Sequence, residues 1–416
     1  YVGLCANVRQ MELEEMKPLP HQIETAKKAL DILKLKGYVY INGQPRSGKT
    51  YTSILVAEQT KAEKIMVLTK KAAIEGWLKF TELASKTYTV INYEQLGKIE
   101  GRTIKYKYNP ADYQLVIIDE SHNIGAFPKP SSRQKIIKGF TRALPHIHLS
   151  GTPVIESACA IYHQMAISTF NPFGQFSNFY HFHSEFGIKD SIWIRGQQVP
   201  QYNKFKPKLL DVIKHFTVYM SQADAGITTE VEDQVHYVEL DSLTKSLYNT
   251  LLKDKVVKFN EQTTYIADNT MKLRMALHQL EGGTIKIDDD YIILPQAAKA
   301  NYIKDKFGDS EDMGIMCHFL SERTKLAQIF KHAKLFSSNA HAEGVDLSHL
   351  KHFIIYSSDY SGARFVQRRE RIVNINGSNT TTVHHILVKK AISDQVYAMV
   401  SKKRDFNNET FEEETI

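Results

Sequence analysis

The stretch Gly43-Gln-Pro-Arg-Ser-Gly-Lys-Thr50 governs how the rest of the chain is read. It satisfies G-x-x-x-x-G-K-[ST] at every fixed position, and each residue type has a physical reason to be there. Gly43 and Gly48 let backbone N–H groups wrap phosphate oxygens, with Arg46 and Ser47 in the same cradle. Lys49 brings positive charge to the β and γ phosphates, and the Thr50 hydroxyl is a hard oxygen ligand for Mg²⁺. Gly37-Tyr-Val-Tyr-Ile41 just before the loop reads as a buried strand. Tyr51 to Gln59 just after it reads as a helix whose positive dipole end would face the anion.

Outward from this loop, short apolar runs alternate with helical patterns. Ile65-Met-Val-Leu68, Thr87-Tyr-Thr-Val-Ile91, Leu115-Val-Ile-Ile118 and Ile147-His-Leu149 read as further strands. Strands alternating with helices predict a parallel sheet covered on both faces. Residues 155 to 290 read as a mainly helical insertion, rich in aromatics (Phe170, Phe173, Phe176, Phe179, Tyr180, Phe182, Phe186). Gly314-Ile-Met-Cys317, Lys334-Leu-Phe336, Phe353-Ile-Ile-Tyr356 and Val383 to Val388 then predict a second α/β domain. The expected division is an extension over 1–17, a first lobe over 18–154, the insertion and linker over 155–290, a second lobe over 291–404 and an acidic tail over 405–416.

Composition narrows the classes. The 416 residues are 42% hydrophobic and 24% charged, which excludes a disordered, collagen-like or coiled-coil chain. Three scattered cysteines exclude a disulfide scaffold and give no zinc spacing. The net charge of +7 permits a polyanionic partner without requiring one. No apolar run approaches the roughly 20 residues of a membrane helix. Tyr1-Val-Gly-Leu-Cys5 lacks the order of a secretory signal and a starting Met, so an intracellular protein with residues missing at its start is expected.

A second candidate site is Leu115-Val-Ile-Ile-Asp-Glu-Ser-His122. Asp119, held at the end of a buried strand, can bind Mg²⁺ through water. Glu120 can orient and deprotonate an attacking water. Phosphoryl transfer needs mainly positioning and charge stabilisation, so two carboxylates and a lysine suffice as a core.

These motifs, in this order, resemble the superfamily 2 helicases and translocases, and among them the Snf2-like branch. Leu19-Pro-His-Gln22 is similar to the segment upstream of the phosphate loop whose glutamine reads the adenine edge. Asp119-Glu-Ser-His122 resembles the DExH box. Ser150-Gly-Thr-Pro153 resembles the S/T-G-T-P motif that couples hydrolysis to strand movement, and Asn92-Tyr-Glu94 resembles the T-Y-E element. In the second lobe, Gly314 to Phe319 resembles motif IV, Ala342-Glu-Gly-Val-Asp-Leu347 motif V and Gln367-Arg-Arg-Glu-Arg371 the start of motif VI. Val238-Glu-Leu240 with Leu247-Tyr248, and Ala391 to Lys402, are weaker echoes of the same branch. The resemblance spans residues 18 to 403, and a minimal motor of this kind resembles those of bacteriophages.

The resemblance implies two RecA-like parallel-sheet lobes in tandem, using ATP and Mg²⁺. It assigns catalysis to Lys49, Asp119, Glu120 and Arg371, and metal binding to Thr50 and Asp119. Nucleotide binding falls to Gln22, Gly43, Arg46, Ser47, Gly48, Lys49, Thr50, Gly344, Asp346, Gln367 and Arg371. Coupling falls to His122, Ser150 and Thr152. Asn374 stands where the family carries a second motif VI arginine, so Arg371 is the expected arginine finger, with Arg368 and Arg369 as alternatives. DNA would be held through phosphate contacts at Thr69, Lys70, Thr152, Ser337, Ser338 and Asn339.

Other residues keep two readings. Trp77 is a core tryptophan or a stacking platform for a base. Lys204, Lys206 and Lys208 are a solvated loop or a contact to a duplex arm. The Phe-rich stretch is insertion core or a strand-separating wedge. The expected activity is an ATP-driven DNA helicase or translocase, acting as a monomer on forked, branched or duplex DNA in replication, recombination or repair. An RNA helicase, the motor of a restriction or defence complex, and a non-hydrolysing scaffold are the competing readings.

Overall fold

The structure, a computed structural model, describes residues 17–151, 157–194, 197–226, 232–338, 350–360, 365 and 382–405. The described residues divide into two compact units, 17–226 and 232–405.

The first unit opens with helix α1 (Pro20–Lys36), which starts on a proline whose missing N–H costs nothing at that position. Ala26, Ala29, Leu30 and Leu33 recur at helical spacing and form its buried face. Gly37 ends it in the left-handed conformation at φ 68°, and its N–H donates to the Leu33 carbonyl. Strand β1 (Tyr38–Gly43) follows, then helix α2 (Lys49–Glu58), β2 (Lys64–Thr69), helix α3 (Ile74–Thr81), β3 (Thr87–Asn92), β4 (Leu115–Ile118), helix α4 (Ser132–Thr141) and β5 (His146–Ser150). Helices α5 (Phe179–Phe186) and α6 (Lys208–Lys214) precede strand β6 (Thr217–Met220). The six strands form one parallel sheet in the order β6-β1-β5-β4-β2-β3.

Alternation along the strands sends successive side chains to opposite faces. Val39, Ile41, Ile65, Val67, Ile117 and Leu149 pack with α1, α2 and Trp77. Tyr38 and Tyr40 point the other way, into a core with Phe173, Phe179, Phe182 and Phe186. Those four rings of the Phe-rich stretch are therefore core of the first unit and form no wedge, while Phe170 and Tyr180 of the same stretch are exposed.

The second unit has its own parallel sheet. Strand β7 (Glu232–Tyr237) is followed by helices α7 (Ser242–Asp254), α8 (Thr270–Glu281) and α9 (Ala298–Phe307), then β8 (Met313–Cys317), α10 (Leu320–Ile329), β9 (Lys334–Ser337), β10 (His352–Ile355), β11 (Thr382–Leu387) and helix α11 (Ile392–Asp405). The strand order is β7-β11-β10-β8-β9. The two echo segments of this unit meet: the Ile392 N–H donates to Tyr248 Oη at 3.2 Å.

The single insertion expected over 155–290 is divided in the structure. Its residues 217–220 form the edge strand of the first sheet, and its residues 232–237 form the edge strand of the second. It also carries antiparallel hairpins at 190–201, 256–266 and 284–293, the last running just past its expected end. Both edge strands are short and mix polar with apolar residues, so their pairing depends on a sheet already formed beside them.

Candidate active site

Gly48 occupies the left-handed region at φ 87°, and a Cβ there would lie 2.0 Å from Gln22 Nε2. The phosphate loop and the upstream glutamine are thus packed in direct contact, and only glycine fits. Gln22 Oε1 accepts the Leu19 N–H at 2.9 Å, which fixes the amide. His21 Nε2 lies 3.0 Å from the Ser47 carbonyl. On the other side, the Gln222 N–H donates to Gln44 Oε1 at 2.7 Å and its side-chain amide to the Pro45 carbonyl at 3.1 Å. His21 and Gln222 are supports that sequence reasoning missed. His21 sat within a quoted motif, whereas Gln222 carries no local signal and lies far along the chain.

Lys49 Nζ donates to the carbonyls of Gly43 at 2.6 Å and Gln44 at 3.1 Å, within the loop it serves. Arg46 takes a positive φ of 65° in the same loop. The Ser47 side chain is buried, and its hydroxyl lacks a hydrogen-bond partner among the described residues. An orphaned donor, a lysine and backbone at two glycines make a cradle that fits phosphate oxygens. Gly151 packs over it so closely that a Cβ there would lie 3.2 Å from the Gly43 carbonyl.

Asp119 follows β4 and is 8% exposed. Its Oδ2 accepts from the Thr69 hydroxyl at 2.8 Å and from the Trp77 indole N–H at 2.9 Å. The Tyr93 hydroxyl donates to the Asp119 carbonyl, so the Asn92-Tyr-Glu94 element also holds this corner. Burial, and then the neighbouring Glu120 charge, raise the Asp119 pKa above the usual carboxylate value. A bound cation would reverse that penalty, which is the fit expected of a metal-binding carboxylate. Among the described residues no three His, Cys, Asp or Glu side chains cluster in a way that could hold a metal ion.

Glu120 takes φ 50°, ψ 46°, a left-handed conformation that turns the chain sharply after the strand. Its Oε2 lies 3.3 Å from His122 Nδ1, and the same ring nitrogen lies 2.9 Å from Ser150 Oγ. Ser150 is fully buried at the end of β5. The structure therefore brings the expected coupling residues Ser150 and His122 together with Glu120. Tyr40 supports them from β1, with its hydroxyl 2.6 Å from Ser121 Oγ and donating to Gln164 at 2.9 Å.

Several expected DNA contacts are placed otherwise. Thr69 is fully buried, and its hydroxyl is committed to Asp119. Ser338 is fully buried, 2.8 Å from His318 Nδ1. Lys70, just after β2, and Ser337, at the end of β9, are half-buried. Trp77 is 2% exposed, as a core tryptophan that also orients Asp119. Lys204 pairs with Asp190 and Lys208 with Glu185, while Lys206 donates to the Glu185 carbonyl. Thr152, Asn339, Gly344, Asp346, Gln367, Arg368, Arg369, Arg371 and Asn374 lie outside the described residues.

A P-loop after β1, an acidic pair after β4 two strands away in the same parallel sheet, and a second parallel α/β unit define a P-loop motor protein with two α/β units. Residues 50–282 match the SNF2-related domain, and residues 318–376 match the helicase conserved C-terminal domain. The chain belongs to the SNF2-related family and is a superfamily 2 helicase or translocase of the Snf2-like branch. It is 21% identical to the uncharacterized ATP-dependent helicase YqhH of Bacillus subtilis (strain 168), over 94% of this chain and 79% of that protein. Among the described residues no helix is long and apolar enough to cross a membrane.

Proposed function

We propose that the protein hydrolyses ATP with Mg²⁺ to drive movement along DNA, unwinding or branch-migrating forked substrates. The observation that carries this reading is the contact chain Glu120–His122–Ser150. It joins the proposed water-activating carboxylate to the start of the Ser150-Gly-Thr-Pro153 segment, as a motor that couples hydrolysis to strand movement requires.

In this reading Lys49 and the loop backbone bind the β and γ phosphates, and Gln22 contacts the adenine edge. Glu120 orients the attacking water and takes its proton. Thr50 and Asp119 would hold Mg²⁺, which supplies charge neutralisation at the phosphate oxygens. Thr69 and Trp77 are positioning residues for Asp119. Arg371, or Arg368 or Arg369, would stabilise the transition-state charge, with Gly344, Asp346 and Gln367 as further nucleotide contacts. DNA would be gripped mainly through phosphates, by Lys70, Thr152, Ser337 and Asn339.

The test is ATP hydrolysis with Mg²⁺, titrated separately with single-stranded, duplex and forked DNA and with RNA. Strong stimulation by forked DNA supports the unwinding motor, and stimulation by duplex alone supports a translocase. RNA-selective stimulation would overturn the DNA assignment. Glu120→Gln is expected to abolish turnover while DNA binding is retained, and equal turnover in that variant would sink the role given to Glu120.

A further inference from the structure

The corner that holds Glu120, His122 and Ser150 has a hydrogen-bond direction, set by which atoms can donate. The Asn123 side-chain amide donates to the Glu120 carbonyl at 2.7 Å, which fixes its nitrogen on that side. The same nitrogen lies 3.2 Å from His122 Nε2. An amide nitrogen carries donor hydrogens only. His122 Nε2 is therefore an acceptor, the ring is neutral and its proton sits on Nδ1. Nδ1–H then donates to Ser150 Oγ at 2.9 Å, with Glu120 Oε2 3.3 Å away on the same edge of the ring.

Ser150, having accepted, keeps its own hydroxyl proton to give. Its side chain is hydrogen-bonded to the Tyr40 hydroxyl, which in turn donates to Gln164 Oε1 at 2.9 Å. A tyrosine hydroxyl has one proton, so Tyr40 Oη accepts from Ser150 and from Ser121 Oγ, 2.6 Å away. Tyr40, Ser121, Ser150 and Gln164 are all fully buried, where a polar group that loses its partner bears the full cost of desolvation. Gln164 lies on the short helix Ile161–Met165. Ile161, Tyr162 and Met165 of that helix belong to the same core as Tyr40, Phe173, Phe179 and Phe182. The chain of donors thus runs from Glu120 and His122 into the aromatic core on that face of the sheet.

We propose that Tyr40 and Gln164 are positioning residues of this motor: the ordered chain from His122 to Ser150 to Tyr40 to Gln164 sets the histidine tautomer that faces Glu120 and ties that corner to the aromatic core. The inference rests on the roles given above to Glu120 and His122. The physical reason is competition for one acceptor. Removing the Tyr40 hydroxyl frees the Ser150 proton to turn onto His122 Nδ1. The ring then carries its proton on Nε2, where it meets the Asn123 amide, and no longer presents Nδ1–H towards Glu120.

The test uses the full chain with two variants. Tyr40→Phe keeps the ring in its core and removes only the hydroxyl, and Gln164→Met breaks the chain from its other end. The first readout is ¹⁵N NMR of histidine-labelled protein, with the His122 signals identified by their loss in His122→Gln. The wild-type ring is expected to carry its proton on Nδ1, and either variant should move it wholly or partly to Nε2. The second readout is the ratio of DNA-stimulated to basal ATP turnover, which should fall about fivefold or more in either variant, the effect of one lost hydrogen bond. An Nε2-protonated ring in the wild-type chain would overturn the proposal, as would an unchanged tautomer or an unchanged ratio in both variants. The tautomer is read without turnover. A wild-type chain that shows no DNA-stimulated hydrolysis therefore counts against the proposed function, while the NMR signals still decide the chain of bonds.

Discussion

The indole N–H of Trp77 donates to Asp119 Oδ2 at 2.9 Å, so the carboxylate proposed to hold the metal is aimed by a tryptophan from a neighbouring helix. The Thr69 hydroxyl shares the same oxygen at 2.8 Å. Trp77→Phe keeps most of the buried surface and removes only the donor. Hydrogen bonds to charged groups are worth about 1.5–3 kcal/mol. ATP turnover should therefore fall about tenfold or more, with a raised Mg²⁺ requirement, read from a Mg²⁺ titration of the ATPase rate. An unchanged Mg²⁺ profile would show that Trp77 only packs.

Gly48→Ala places a methyl on the Gln22 amide in a left-handed backbone conformation. The conformation alone costs roughly 1–2 kcal/mol for an L residue. The variant is expected to melt at lower temperature and to lose affinity for a fluorescent ATP analogue. Unaltered nucleotide affinity would refute the proposed contact between Gln22 and the phosphate loop.

His122→Ala and Ser150→Ala should each reduce the stimulation of hydrolysis by DNA more than they reduce the basal rate. Because the two side chains touch at 2.9 Å, their effects should not add. A double-mutant cycle on DNA-stimulated turnover should give a coupling energy of about 0.5–3 kcal/mol. Strict additivity would mean that the contact carries no signal.

In the second unit, His352, His384 and His236 form a chain of ring contacts, each step 3.0 Å. It ends at Lys306 and Tyr302, each 3.1 Å from His236 Nδ1, and the Phe307 ring packs on it. Burial first, then the neighbouring His236, His352 and Lys306, lower the His384 pKa to about 3; burial and then Lys306 lower that of His236. A depressed folded-state pKa means that the unfolded chain binds the proton first. Stability is then full above the unfolded value of about 6.5 and falls as the pH drops below it, by up to about 1.4 kcal/mol per pH unit for each histidine. The urea midpoint should decline between pH 6.5 and 5. His384→Leu should start lower at pH 8 and decline less steeply.

Glu322 has the opposite sign. Burial raises its pKa to about 7, although its Oε2 accepts from the Phe319 N–H and the Ser357 hydroxyl. A raised folded value means that its stabilising share is present below the unfolded value and lost as the pH rises towards 7. Glu322→Gln keeps an acceptor and removes the buried charge. It should stabilise the protein at pH 8 by about 1–3 kcal/mol and do little at pH 5, as measured by urea unfolding at both values. Equal effects at the two values would show that the carboxyl is not ionised by pH 8.

The nucleotide site was legible because its chemistry is local. Gly43 to Thr50 and Asp119-Glu120 each sit at the end of a strand whose apolar run marks it, and a parallel sheet brings such ends to one edge. The same locality marked nine of the eleven sheet strands to within a residue or two. It missed β7, where polar and apolar residues mix, and β6, a short apolar run (Thr217-Val-Tyr-Met220) inside the stretch read as a helical insertion, and with them the division of the chain at Gly226. Thr69 shows the limit most plainly. The family resemblance implied a contact with DNA, but Thr69 ends β2, parallel pairing sets β2 against β4 with Leu68 opposite Ile118, and the Thr69 hydroxyl donates to Asp119. Sequence by itself determined which backbone loops and charges this motor possesses, since those follow from residue type and short-range periodicity. Only the tertiary structure decided which side chains aim them, Trp77 at Asp119, Gln222 at the phosphate loop and Ser150 at His122, because hydrogen bonds between distant segments depend on strand order and register rather than on spacing along the chain.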